Sequence, residues 1–147
     1  MRKPCFVPLL LLLAACTSPE PVRLQVVNDS QEKAVAIVVR CDGATVLDTV
    51  VAKFRTGADR LIRHLPLQPG LHRIEAEARG QRTRLDTTIT TVGTNVLGLT
   101  FRFDSLAARV QTTYYADGAE GEVTFPAFYV RRSFRLYQYQ ARDPQRL

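Results

Sequence analysis

The chain has 147 residues, 46% of them hydrophobic and 23% charged, with 20 Lys and Arg against 14 Asp and Glu and no Trp. That balance suits one compact globular domain and excludes a disordered charged tail, collagen, a coiled coil and a low-complexity array. No run reaches the roughly 20 apolar residues that a transmembrane helix needs.

Met1, Arg2 and Lys3 form a short positive head, and Phe6 to Ala15 follow as an apolar run interrupted only by Pro8, which is the plan of a secretory signal. The run ends in Leu13-Ala14-Ala15-Cys16: an aliphatic residue, two small residues, then a cysteine. In order, position and context this segment resembles the lipobox of bacterial lipoproteins. The resemblance implies a diacylglyceryl thioether on the Cys16 sulfur, cleavage before Cys16, and an N-acyl group on the new amine, with no other cofactor. Cys16 is then a lipid anchor and not a catalyst. Two or more acyl chains hold a protein on a membrane stably, because each buried methylene contributes about 0.8 kcal/mol. The same resemblance reads Thr17, where an Asp would signal inner-membrane retention, as favouring the outer membrane, on its periplasmic or its surface side. The competing reading is an ordinary signal peptide (residues 1–15) with an incidental cysteine. Residues 16–21 carry two prolines and no hydrophobic period, so they read as a stiff tether.

Loss of residues 1–15 removes Arg2 and Lys3 and leaves 18 basic against 14 acidic side chains, a net charge of +4. Of these bases only Lys33 and Lys53 are lysine, and arginine favours planar, bidentate anions. Glycans, lipopolysaccharide or anionic lipid are therefore candidate partners, whereas a secreted location argues against nucleic acid. With Cys5 in the signal and Cys16 lipidated, Cys41 is the one cysteine left, which forbids an internal disulfide and reads as a buried thiol on an apolar strand.

Along residues 22–140 short strands alternate with turn signals. Val22 to Val26 alternates with period two, and Asn28-Asp29-Ser30 reads as its exit turn. Ala34 to Cys41 is β-branched and apolar enough for a strand buried on both faces. Asp42-Gly43 separates it from Thr45–Val51, the dipeptide of a type I′ hairpin turn. Leu61–Leu65 precedes Pro66 and Pro69-Gly70. In the next strand Ile74, Ala76 and Ala78 share one face, and in Arg82–Thr90 Leu85, Thr87 and Ile89 share another. The stretch Leu65 to Ala76, with its proline-glycine turn, resembles the corresponding part of small Ig-like and carboxypeptidase-regulatory-like sandwiches, and so implies an architecture but no activity.

Leu97, Leu99, Phe101 and Phe103 give a strand with an aromatic core face. Asp104 to Ala108 reads as a turn, Arg109–Tyr115 as a strand, Asp117–Glu122 as an acidic loop, and Ser133–Gln140 as the last strand. The expectation is all-β: a single antiparallel β-sandwich of Ig-like type over 22–140, with a small β-barrel as the alternative and 141–147 as a tail.

Chemistry-bearing patterns are sparse. His64 and His72 have no second cysteine or HExxH helix beside them, no serine sits in a G-x-S-x-G elbow, and neither phosphate loops nor dinucleotide fingerprints occur. No catalytic residue and no metal ligand is assigned, although the carboxylates of the acidic loop leave calcium as a minor alternative to plain turn chemistry. Eight aromatics crowd the stretch from Tyr114 to Tyr139. There Arg135, Tyr137 and Tyr139 share one strand face, suited to a protein partner or to stacking on sugars, or else to an ordinary sandwich face. Arg131, Arg132 and Arg135 would join Arg82 and Arg84 in a basic surface if their strands are neighbours. They would otherwise be a solvated face paired to Glu75, Glu77 and Asp86. Together these features predict a non-catalytic envelope lipoprotein that binds another envelope protein, or alternatively a glycan- or anionic-lipid-binding module.

Overall fold

Runs rich in Val, Ile and Thr, punctuated by Gly, Pro and Asp, become ten strands in the computed structural model, which describes residues 21–140. The signal peptide, Cys16, residues 17–20 of the tether and the tail 141–147 lie outside the described residues. The strands are β1 (Val22–Ser30), β2 (Ala34–Cys41), β3 (Ala44–Ala52), β4 (Leu61–Leu65), β5 (Leu71–Ala78), β6 (Thr83–Thr90), β7 (Val96–Leu106), β8 (Arg109–Tyr114), β9 (Glu120–Phe125) and β10 (Phe128–Tyr139). The described residues hold no α-helix, only a 3-10 turn at Gly57–Asp59.

Two four-stranded sheets form, one ordered β10-β7-β1-β4 and the other β3-β2-β5-β6, and β8 pairs with β9 apart from both. The sheets stay open, with β10, β4, β3 and β6 as edges, so the architecture is a β-sandwich and not the barrel alternative. Among the described strands all ladders are antiparallel except one. β1 runs parallel to β7, from Arg23 opposite Val96 to Ser30 opposite Phe103. Parallel neighbours need a crossover, and here the whole second sheet lies in the chain between them.

Alternation fills the space between the sheets. Leu24 and Val26 of β1, Leu97, Leu99 and Phe101 of β7, Ile37 and Val39 of β2 and Ile74 of β5 are all sealed from solvent. Phe134 reaches in from β10 and meets Phe101 edge-on at 5.5 Å between ring centroids. The Asp42-Gly43 turn forms as expected, both residues having positive φ (50° and 81°) and Cys41 pairing with Ala44. Val38 is buried on the face of β2 opposite Ile37, as the continuous apolar run implied.

Four expectations are corrected. Asn28-Asp29-Ser30 is not a turn; β1 continues to Ser30 because the Asn28 side chain finds partners inside the fold. Its Nδ2 donates to the carbonyls of Glu32 (3.2 Å) and Val51 (3.3 Å), and its Oδ1 accepts from the Ser30 hydroxyl (2.6 Å). Asp104-Ser105-Leu106 is strand too, because β10 begins at Phe128 and supplies pairing partners as far as Leu106. For the same reason the last strand starts before Ser133. The acidic loop is shorter than Asp117–Glu122, since Glu120 and Glu122 already belong to β9.

Candidate interaction surface

The ladder between β7 and β10 and the ladder between β8 and β9 share one register. Phe128 lies opposite Leu106 and Phe125 opposite Arg109, so Ala107-Ala108 and Pro126-Ala127 keep step between them. Pro126 has no N–H to give, which explains why the pairing lapses there and then resumes. The result is a two-stranded arm continuing β7 and β10 beyond the sandwich, with β8 and β9 packed substantially only on each other. Six residues of β8 extend it by about 20 Å. Tyr115 N–H donates to the Ala119 carbonyl (2.9 Å), and Gly118, at φ 82°, closes the tip.

Both faces of the arm carry apolar side chains in solvent. Val110 (60% exposed) and Tyr114 (71%) lie on one, and Phe125 and Val123 on the other, where the Arg109 guanidinium sits 4.9 Å from the Phe125 ring centre. The Tyr115 ring lies over Gly121 so closely that a Cβ there would be 2.7 Å from Cε2. At the base, Leu106, Phe128 and Tyr129 are also more than half exposed. Charge is divided along the arm: Asp117, Glu120 and Glu122 occupy the tip half, and Arg109 the base.

At that base β10 carries a bulge. Val130 pairs with Asp104 and Ser133 with Arg102, so Arg131 and Arg132 both fall opposite Phe103. The Arg132 guanidinium packs 3.7 Å from the Phe103 ring centre, donates to Gln81 Oε1 (2.7 Å) and lies 3.7 Å from Glu32. It ties β10 to the β5–β6 turn and also lines the cleft beside it. Arg131 lines an open cleft of about 450 Å³ with Arg82, Arg84, Gln81 and Tyr129. The strands expected to be neighbours thus do meet, as the facing edges β10 and β6. Arg84 pairs with Glu77 (3.2 Å), while Arg82 and Arg131 make no ion pair among the described residues.

Arg135 stands apart from this cleft, further along β10. There Arg135, Tyr137 and Tyr139 point outward and Phe134 and Leu136 inward, as the alternation implied. The tyrosines are only half available. Tyr137 lies beside Gly98, whose missing side chain leaves room for it, and the Tyr139 hydroxyl approaches Gln25 Oε1 (3.5 Å), which also accepts from Arg60 (3.2 Å).

Among the described residues one group of potential metal ligands converges: Cys41, Asp42 and His72, with ligand atoms within 4.8 Å of one another. Asp42 Oδ2 lies 2.7 Å from His72 Nδ1 and 3.8 Å from Cys41 Sγ, Asp42 Oδ1 accepts from the Arg73 N–H (2.8 Å), and His72 Nε2 lies 2.7 Å from the Gln68 carbonyl. Both ring nitrogens face acceptors, which favours the protonated ring: the His72 pKa is raised, chiefly by the Asp42 hydrogen bond, and the bond from His72 lowers that of Asp42. Burial, with the Asp42 charge beside it, pushes the Cys41 thiol up to about 11, the reverse of what a nucleophilic cysteine needs. The group ties the β2–β3 turn to β5 and to the Pro66–Gly70 loop. Sequence spacing could not reveal it, because His72 reaches Asp42 only through the pairing of β2 with β5.

No family model, no curated protein and no solved structure matches the chain.

Proposed function

We propose that this chain is a non-catalytic cell-envelope lipoprotein, anchored by diacylglycerol and an N-acyl group on Cys16 in the outer membrane, whose sandwich serves as a protein-interaction module. The observation that carries the reading is the β8–β9 arm. Its Val, Tyr and Phe side chains stand in solvent on both faces and its two strand edges lack partners, which is the surface a binding element offers. The lipobox and the tether of residues 16–21 support the anchoring. The neutral Cys41 thiol and the hydrogen-bonded His72 support a structural role over a catalytic one.

The test is mild crosslinking in intact cells followed by purification of the anchored protein. The wild type would be compared with a chain whose arm residues 109–125 are replaced by a short turn, and with Arg135→Ala/Tyr137→Ala/Tyr139→Ala. A stoichiometric protein partner lost with the arm supports the reading; recovery of lipid or glycan alone ends it. A second reading, an anionic glycan or lipid module, is favoured by the cleft in which Arg82 and Arg131 have no carboxylate partner among the described residues. Binding of lipopolysaccharide that disappears in Arg82→Ala/Arg131→Ala would support it.

A further inference from the structure

Three properties of the arm bear on what covers it. A two-stranded ribbon leaves the outer N–H and C=O groups of both strands unpaired, and such a ribbon on its own is marginally stable in water. Apolar side chains occupy both of its faces, so no single orientation on the parent sandwich could bury them all, and it packs substantially against no other described strand. Its charge is polar from end to end. Asp117, Glu120 and Glu122 lie in the tip half, while Arg109 on the arm and Arg82, Arg84 and Arg131 in the cleft lie at the base.

A surface that is acidic at one end and basic at the other is complementary to itself when turned end for end. We propose that two copies of this chain associate through their arms, side by side and antiparallel about a two-fold axis, with the acidic tip of each seated at the arginine cleft of its partner. This rests on the interaction-module reading and names its partner as a second copy. A two-fold pairing repeats each contact twice, so every favourable tip-to-base interaction is doubled. Joined along their β8 edges and turned end for end, the arms set Val110 of one copy beside Tyr114 of the other on one face, and give Arg82 and Arg131 carboxylate partners that no described residue of their own chain supplies. A flat anionic membrane fits the arm poorly, because the tip that would enter it carries three carboxylates and no base.

The carboxylates and arginines in question are exposed, which makes their reversal tolerable to the fold. The mature lipidated chain in detergent should sediment at twice the monomer protein mass and shift toward monomer as salt is raised. Glu120→Arg/Glu122→Arg and Arg82→Glu/Arg131→Glu should each sediment as monomers, with unchanged circular dichroism. Mixing the two variants should restore the dimer, because every tip then meets a base of opposite sign. A monomeric wild type overturns the proposal. So does a dimer indifferent to either reversal, or a mixture that stays monomeric. Arm-dependent crosslinking in cells to a different protein, with a monomeric wild type, would defeat self-association alone and leave the interaction-module reading standing. Loss of both would defeat the two together.

Discussion

Asn28 is a fully buried amide whose three hydrogen bonds join β1 to the loop after it and to the end of β3, and replacing it measures what those bonds hold. Asn28→Ala removes both donors and the acceptor at once. The Val51 carbonyl and the Ser30 hydroxyl are buried with it; the first loses a donor and the second, which keeps the Glu32 N–H, loses its acceptor, and unmet hydrogen-bonding capacity in a buried group costs about 1–3 kcal/mol. With a small cavity added, the loss comes to about 3–5 kcal/mol, a large part of the roughly 5–15 kcal/mol that holds a domain together. Asn28→Asp keeps the shape and changes the chemistry, because a carboxylate oxygen would then face two carbonyls. The folded state tolerates that group only with its proton on, so its pKa is raised above the unfolded value of about 3.9. The ionisation part of the penalty is therefore absent below that value, leaving only the one donor a protonated carboxyl lacks, and it grows by about 1.4 kcal/mol per pH unit as pH rises toward the folded pKa. Urea unfolding followed by circular dichroism at pH 3.5 and pH 7, with the wild type as reference at each, measures both effects. An Asn28→Ala variant within 1 kcal/mol of wild type, or an Asn28→Asp penalty equal at the two pH values, would refute the role assigned to the amide.

The Asp42–His72 pair gives stability a pH window. His72 is raised, so its contribution is full below its unfolded value near 6.5 and is lost as pH climbs through the folded pKa; Asp42 is lowered, so its contribution is full above its unfolded value near 3.8 and is lost as pH falls further. Melting temperature should hold between those limits and decline on the alkaline side, a decline that His72→Gln should abolish. Cys41 should resist an aromatic disulfide reagent at pH 8 in the native protein and react fully in urea; fast native labelling would contradict its burial and raised pKa. Gly43→Val sets a β-branched residue at φ 81° with open space around it, so it should lower stability by about 1–2 kcal/mol through backbone strain alone, read by the same urea titration.

Local chemistry made much of the sandwich legible. Asp42-Gly43 specified its own turn, and the faces of β5, β6 and β7 followed from period two because one side of each sheet meets the core. The errors share one cause. Asn28, Asp104 and Glu120 are residues poorly suited to strands when considered locally, and each became strand because cross-strand pairing outweighed that preference: Phe101 for Asn28 and Val130 for Asp104, both distant in sequence, and Tyr114 across the hairpin for Glu120. For the surface, the outward row Arg135, Tyr137 and Tyr139 was legible from alternation. The arm was not, because nothing local distinguishes a hairpin lying on the core from one leaving it. Arg132 lines the arginine cleft as the pattern suggested, but its packing over Phe103 depends on the bulge and was not legible.

The parallel pairing of β1 with β7 also bears on the order in which the domain can form. The sheet of β2, β3, β5 and β6 is assembled within residues 34–90 from two hairpins, β2–β3 and β5–β6, joined through β2 and β5, so all of its loops are shorter than the one that β1 and β7 close. β1 must wait with one edge open until β7, some seventy residues later, has been delivered, and closing so long a loop is slow. A chain that emerges amino end first would have β4 for β1 to pair with by residue 65, but would leave the β7-facing edge of β1 open until residues 96–106 follow. That interval, more than the finished sandwich, is when the strand is most exposed to mispairing.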